Sequence, residues 1–499
     1  MSGTGESAYK CRVCGYVHRG PAPPGSCPVC GAPQREFAFH TDSPPAAKPV
    51  ARRWRCRVCG YIHEADSPPE RCPVCGAPKS MFEPIEEGQV RRDMAARAIV
   101  VIGGGIAGVA AAEAVRSAAP HAEVVLLSAE SDLPYYRLNL TRYLAGEVAR
   151  ESLPMHDRAW YDEHAVDLRL GCEVSGLVPD ARRVTLCDGQ ALSFDACIIT
   201  AGAHPFVPPI PGAHLDGVTT LRTIADADRV LESVGAGAEC VVVGGGILGL
   251  EAAGGIAVRG GSVTVLEAYE WLLPRQLPRG AGERLQAFAE RAGIRFRAGA
   301  QVSELAGDAH VREVRLADGT SIPVDLVVFS AGIRPNSYLA RQAGLHVGNG
   351  VVVDDHLQTS APNVYAAGDT AEHRGVTYGL WGVSQFQGTI AGLNAAGEPT
   401  EFGGVPRSNV LKVLSIDMLS IGVFEPTDGS FCAVESDTEG RYIRFVFRDS
   451  TLVGAVLLGD GASTGPVIQA IESHTDLSRL LAVRPTAEQV LDWLGSVTG

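Results

Sequence analysis

The 499-residue chain has no apolar run long enough to cross a membrane that is not interrupted by glycine or charge. Its opening, MSGTGESAYK, lacks the apolar centre of a secretion signal, so the expectation is a soluble, cytoplasmic protein. Positive charge is not in excess. With 43 Lys+Arg against 57 Asp+Glu the net charge is −14, which argues against nucleic-acid or anionic-membrane binding. Cysteine is sparse beyond residue 76: only Cys172, Cys187, Cys197, Cys240 and Cys432 occur, scattered and several within apolar runs. They read as buried thiols, and no disulfide framework is needed.

Glycine, by contrast, is abundant, and its placement carries the argument. AIVVIGGGIAGVAAAEAVR, Ala98 to Arg116, reads as a buried strand, a tight turn and a helix of small residues. In a dinucleotide site of this form Gly103 allows the turn, Gly105 lets a pyrophosphate approach the backbone and Gly108 lets the helix sit close to the strand. The helix N-terminus then faces the phosphates. With 58 Gly in 499 residues such a triplet arises by chance roughly 0.8 times, so the glycines alone are weak evidence. CVVVGGGILGLEAA, Cys240 to Ala253, repeats the strand, turn and helix with Gly244, Gly246 and Gly249. Two dinucleotides are expected.

The other eight cysteines form four CxxC pairs: Cys11 with Cys14, Cys27 with Cys30, Cys56 with Cys59 and Cys72 with Cys75. CRVCGYVHRGPAPPGSCPVCGAPQREF is followed 45 residues later by CRVCGYIHEADSPPERCPVCGAPKSMF, an internal duplication. Each unit is too small for a self-sufficient core, so a metal held by four thiolates must fold it, and zinc and iron both suit four sulfurs. CxxCGY followed by CPxCGAPKxxF, with an aromatic two residues before the first Cys, resembles the short rubredoxin-like modules of rubrerythrins. The resemblance implies one Fe(Cys)4 centre per unit, two ions in all. His18 and His63 read as surface residues. Residues 1 to 96 carry net +3 and the remaining 403 carry −17, so the arm is mildly basic on an acidic body. The second linker, Glu83 to Arg97, spans at most about 50 Å, enough for the second unit to reach across the body.

In the body, PYYRLNLTRYL (Pro134 to Leu144), DACIITAGAHPFVPPIPG (Asp195 to Gly212) and LQTSAPNVYAAGDTAEH (Leu357 to His373) resemble flavin-dependent pyridine-nucleotide reductases of the rubredoxin-reductase and nitrite-reductase type. That resemblance implies FAD contacts at Arg137, Arg142, Thr200, Ala201, Gly202, Gly368 and Asp369. Ser128 stands where an acidic ribose ligand is usual, and Glu130 follows two residues later as the candidate. In the second unit Glu267 ends SVTVLEAYE at the position of the 2′-hydroxyl partner, which predicts NADH over NADPH, with Arg275 and Arg279 nearby. VVFSAGIRPN resembles the return turn of the family and brings Gly332 close to the nucleotide. By the same resemblance Glu251 lies near the nicotinamide and Trp381, at the start of LWGVSQFQGTIAGLNAAG, beside the flavin ring.

The expected architecture is an α/β two-dinucleotide-binding-domain flavoprotein reductase with an α+β carboxy-terminal domain and two small rubredoxin-like metal domains. The expected units are residues 1–40, a linker 41–53, 54–84, a linker 85–96, an FAD-binding domain 97–214 with 330–398, an inserted NAD-binding domain 215–329, and 399–499. Disulfide reductases of the superfamily carry cysteine near the flavin loop; Asn139 and its neighbours offer none, and no later cysteine cluster suits a sirohaem site. The resemblance therefore implies an NADH:rubredoxin reductase that sends electrons to its own two iron centres and then to an external acceptor, such as a rubrerythrin-like or other oxygen- or peroxide-detoxifying metalloprotein. The alternatives are an NADH oxidase or nitrite-reductase-like enzyme whose zinc ribbons only dock a partner, and a non-enzymatic nucleotide or redox sensor.

Overall fold

A computed structural model describes residues 8–11, 17–28, 32–40, 53–56, 62–64, 67–69, 79, 82–84, 97–404, 408–414, 416–426 and 428–498. Both expected linkers, apart from their end residues, and Cys14, Cys30, Cys59, Cys72 and Cys75 lie outside that set.

The two glycine turns sit on two parallel sheets of the same design. In the first, strand Ala98–Ile102 is central, flanked by Ala196–Ile199 and Val364–Ala366 on one side and by Glu123–Leu127 and Val166–Arg169 on the other. In the second, Glu239–Val243 is central, between Leu326–Phe329 with Val218–Thr220 and Ser262–Leu266 with Arg295–Arg297. Central parallel strands are covered on both faces, which is why they read as continuous Val/Ile runs. The free thiols of Cys197 and Cys240 lie in these strands, and burial pushes both upward, Cys240 to about 11. Such thiols are inert.

The reading of all five scattered cysteines as buried needs correction. Cys187 and Cys432 are exposed and Cys172 is half-buried. Cys187 follows a strand of a three-stranded antiparallel sheet, Val174–Val178, Arg183–Leu186 and Ala191–Ser193, and Cys432 lies on an edge strand, so one face meets solvent. A second antiparallel trio, Val302–Gly307, Val311–Leu316 and Ser321–Pro323, occupies the corresponding place in the other unit. The chain crosses between the two units through the antiparallel pair Ala203–Pro205 and Ile333–Pro335.

The tail forms a five-stranded antiparallel sheet from Ser408–Val413, Ile416–Gly422, Thr451–Leu458, Arg441–Arg448 and Phe431–Thr438, in that order, backed by helices Thr464–Glu472 and Ala487–Thr498. Arg284 pairs with Asp437 at 2.7 Å, and Ser420 Oγ donates to the Gln276 carbonyl, which tie this sheet to the second glycine unit.

Each Cys-rich unit is a three-stranded antiparallel sheet: Ala8–Cys11 between Val17–Arg19 and Phe37–His40, and Arg53–Cys56 between Ile62–Glu64 and Phe82–Pro84. The described core of the first comprises Cys11, Cys27, Ala32 and Phe37 with Tyr9 packed on it. So few side chains cannot offset chain entropy without a further cross-link. Among the described residues no helix is long and apolar enough to cross a membrane.

Candidate functional site

Both glycine turns separate fold from binding. Gly103 has φ +120°, and a Cβ there would collide with the Thr200 carbonyl; one at Gly108 would collide with the Gly103 carbonyl. Gly244 (φ +115°) and Gly249 meet Ser330 and Gly244 in the same way. A Cβ at Gly105 or Gly246, in contrast, would meet no protein atom within 4 Å. These two positions, at the starts of helices Ile106–Ala118 and Ile247–Val258, leave the backbone open to the approach of a pyrophosphate.

Ser128 and Glu267 occupy equivalent places under the two turns. Ser128 packs beneath Gly104, and Glu267 accepts hydrogen bonds from the backbone N–H of Gly245 (2.7 Å) and of Tyr269 (3.0 Å). Arg279 pairs with Glu283 one turn along its own helix. In the first unit the carboxylate is displaced: Glu130 is held by Arg137 Nη2 at 2.6 Å and by the Tyr135 hydroxyl at 2.7 Å.

A single cavity of about 2140 Å³ joins the two units. Drug-sized ligands occupy roughly 300–1,000 Å³, so this one has room for two extended cofactors. Gly103, Gly105, Glu130, Arg137, Arg142, Thr200, Ala201, Gly202, Glu251, Gly368, Asp369 and Trp381 all line it. Among the cofactor candidates Gly108, Gly244, Gly246, Gly249, Glu267 and Gly332 do not, although Ile247 and Ile333 do.

Asp369 lies where three chain segments meet. Its carboxylate accepts from Arg222 Nη2 at 3.1 Å and from Ser384 Oγ at 3.1 Å. The Arg222 carbonyl in turn accepts from Arg137. Gly368 (φ +80°) donates its N–H to Gln387 at 2.9 Å. Thr200 spends its hydroxyl on the carbonyls of Ile102 and Gly103, 3.0 Å each, and so clamps the turn. Asn336 donates to the Ala201 carbonyl at 2.7 Å and its backbone N–H to Gly202 at 2.9 Å. Arg222, Ser384 and Asn336 were missed in the sequence, where nothing but their fold-dependent neighbours marks them.

Near the meeting point of the two units, Thr141 Oγ1 donates to Glu251 at 3.0 Å. Burial, opposed by that hydrogen bond and reinforced by the charge of Glu147, raises the Glu251 carboxyl to about 7. Arg142 Nε pairs with Glu147 at 3.0 Å, while its Nη1 is buried without a protein partner. A buried orphan guanidinium donor in a cavity wall fits a bound acceptor. Trp381 opens helix Trp381–Ala396, whose N-terminus faces the cavity, and its ring lies 6.1 Å from that of Tyr136. Leu414 and Ile421 of the tail close part of the wall.

The model for pyridine nucleotide-disulphide oxidoreductases matches residues 97–388. The chain belongs to that family. Its class is that of the FAD-dependent NAD(P)H oxidoreductases, and the cradles, orphan donor and cavity size fit FAD and NAD(H). The rubredoxin-like domain of rubrerythrin matches residues 9–38 and 54–83, and the rubredoxin NAD+ reductase C-terminal domain matches 408–475. The nitrite reductase [NAD(P)H] of Bacillus subtilis is 35% identical over 388 residues, 77% of this reductase and 48% of the relative. The chain thus spans about half the length of the nitrite reductases it resembles. The NADH-rubredoxin oxidoreductase of Clostridium acetobutylicum is 27% identical over 77% of this chain and 98% of its own, and the crystal structure of the NADH:rubredoxin oxidoreductase from that organism superposes with a TM-score of 0.68 at 26% identity, covering 80% of this chain and all of that one. A covalent putidaredoxin reductase–putidaredoxin complex gives 0.73 at 25% identity, over 81% of this chain and 99% of the other.

Proposed function

We propose that the protein is an NADH:rubredoxin oxidoreductase that carries its own acceptors. The observation that supports this most is the position of Ser26, Cys27 and Pro28: they line the same cavity as the first glycine turn and the helix that follows the second. FAD, bound along Gly105, Arg137, Arg142 and Asp369, supplies the conversion of a two-electron hydride into single electrons. Gly246 and Glu267 hold the NADH, with the Glu267 carboxylate repelling a 2′-phosphate. Trp381 and Glu251 would border the flavin and nicotinamide rings, and the tail residues Leu414 and Ile421 cover part of the wall of the same cavity. Hydride transfer needs no acid or base, so Glu251 positions and sets the local charge.

The reaction balances: one NADH and two ferric centres give NAD+, one proton released to solvent and two ferrous centres. Cys11, Cys14, Cys27 and Cys30 hold one iron and Cys56, Cys59, Cys72 and Cys75 the other, and an external metalloprotein takes the electrons onward. The complex of the putidaredoxin reductase with its redoxin is a precedent for the pairing of such a reductase with a small carrier. The nitrite reductase relative supports only the flavoprotein part of the second reading, in which the Cys-rich units are zinc ribbons that dock a partner.

Replacing iron by zinc in the purified protein separates the two. Flavin reduction by NADH should persist while delivery to a one-electron protein acceptor disappears. Undiminished delivery by the zinc form would contradict the proposal.

A further inference from the structure

Helix Ile247–Val258 carries two glycines in its interior, Gly254 and Gly255, where glycine weakens a helix. Close approach explains both. A Cβ at Gly255 would stand 2.9 Å from Leu144 Cγ of helix Leu140–Ala145, and one at Gly254 would stand 2.7 Å from Leu414 Cδ2 of the tail. The two glycines lie three and four residues beyond Glu251, on its face of the helix. Glu251 in turn accepts from Thr141, on the same helix as Leu144. Leu414, Gly254 and Glu251 all line the cavity.

The backbone at Leu414 is as unusual as the helix it meets. Strand Ser408–Val413 pairs its last residue with Ile416, so the hairpin closes over two residues, the first of them Leu414 at φ +50°. Asparagine, glycine and aspartate suit that left-handed position, and a leucine there is strained. Its side chain packs against two cores at once, the one with Leu140 and Leu144 and the one with Leu250 and Met418. A turn that keeps an unfavourable leucine, opposite a helix that keeps an unfavourable glycine, makes a knob and its hole.

We infer that Leu414 is a positioning residue of the reductase site: as a knob from the carboxy-terminal sheet it locks the Glu251 turn of one helix against the Thr141 turn of the other and keeps water from that seam. The tail thereby becomes part of the site. That the seam serves hydride delivery rests on the oxidoreductase reading above; that Leu414 dries Glu251 does not. Burial, opposed by the Thr141 hydrogen bond and reinforced by the charge of Glu147, holds the Glu251 carboxyl at about 7. The cations beside the seam are engaged elsewhere: Arg142 pairs with Glu147 at 3.0 Å, and Arg259 Nε donates to the Leu144 carbonyl at 2.8 Å. Without the knob, water reaches the carboxyl and lets it fall toward its ordinary value.

Denaturant unfolding of the full-length protein between pH 5 and 8 tests the knob. A carboxyl raised on folding makes stability fall as pH rises through 7, so the parent should show that loss. Leu414→Asn suits the turn but removes the knob, and should shrink the pH dependence at least twofold, as Glu251→Gln does, while Leu414→Met rescues it. Leu414→Gly, equally suited to the turn, is the second variant and should behave like Leu414→Asn. A merely structural contact would lower stability equally at every pH. Single-turnover flavin reduction by NADH should slow at least tenfold in Leu414→Asn with flavin content unchanged, and recover in Leu414→Met. A pH dependence in Leu414→Asn and Leu414→Gly equal to the parent's, or none in the parent that Glu251→Gln removes, would overturn the proposal. A parent that NADH does not reduce would instead sink the oxidoreductase reading, and the pH comparison, which uses no nucleotide, would still decide the knob.

Discussion

A methyl added at Gly105 or Gly246 enters open space, whereas one added at Gly103 or Gly108 enters a backbone carbonyl. Gly105→Ala should thus leave the apo-protein's unfolding unchanged and weaken FAD about tenfold, and Gly246→Ala should do the same to NADH; Gly103→Ala should destabilise by about 3 kcal/mol or more. Denaturant titration of apo-protein beside cofactor titration checks the split, and equal destabilisation at all three sites would refute it. Glu251 gives a prediction in pH. Its carboxyl rises from 4.5 to about 7 on folding, so the native state binds the extra proton in that interval. Stability is therefore full below about 4.5 and falls as pH rises through 7, by at most about 3 kcal/mol. Glu251→Gln should flatten that slope in apo-protein between pH 5 and 8, and a slope equal to the parent's would mean that the carboxyl is not buried as described. Glu267→Ala removes the acceptor of two backbone N–H groups and, on the proposed function, the charge that repels a 2′-phosphate; the ratio of kcat/KM for NADH over NADPH should fall at least tenfold. At this scale the turn glycines Gly103, Gly108, Gly244 and Gly249 were legible in the sequence, because local backbone geometry demands them. Arg222, Asn336 and Thr141 were not: their partners lie 147, 135 and 110 residues away, and no local pattern marks such a meeting.

Helix Trp381–Ala396 lies against helix Ile106–Ala118 so closely that a Cβ at Gly388 or Gly392 would collide with the carbonyl of Ala107 or Ala111. This contact sets where Trp381 and the N-terminus of its helix stand relative to the first glycine turn. Gly388→Val should push the helices apart, costing about 2–3 kcal/mol by overpacking and lowering FAD content more than Gly105→Ala does. Retention of full flavin at unchanged stability would show that the helix has room to spare. Parallel strands such as Ala98–Ile102 and Glu239–Val243 were readable as apolar runs because both faces are covered. The two antiparallel trios were not read: Val174–Ser193 and Val302–Pro323 mix polar and apolar residues and leave one face to water, so the signal is shorter and weaker. The same solvated faces explain why Cys187 and Cys432 are exposed although the sequence suggested buried thiols.

For the whole molecule, the duplicated Cys-rich units and the duplicated glycine units were evident from repetition, but their mutual placement was not. The sequence drew attention to the reach of the second unit, while the structure sets the first on the cavity through a contact between Val17 and Tyr136, 119 residues apart. The weak ion pair of Lys10 with Glu113 and that one hydrogen bond, each contributing about 1 kcal/mol, leave no trace in composition or periodicity. The acidic body and mildly basic arm favour that encounter without specifying it. The most direct test of an internal path from NADH through flavin to iron is an anaerobic visible absorption spectrum of the purified protein before and after one equivalent of NADH. Ferric-thiolate bands over the flavin spectrum should bleach together with it as two electrons are taken up. Flavin bands that bleach alone, with metal bound but no iron component, would contradict it and move the acceptor outside this polypeptide.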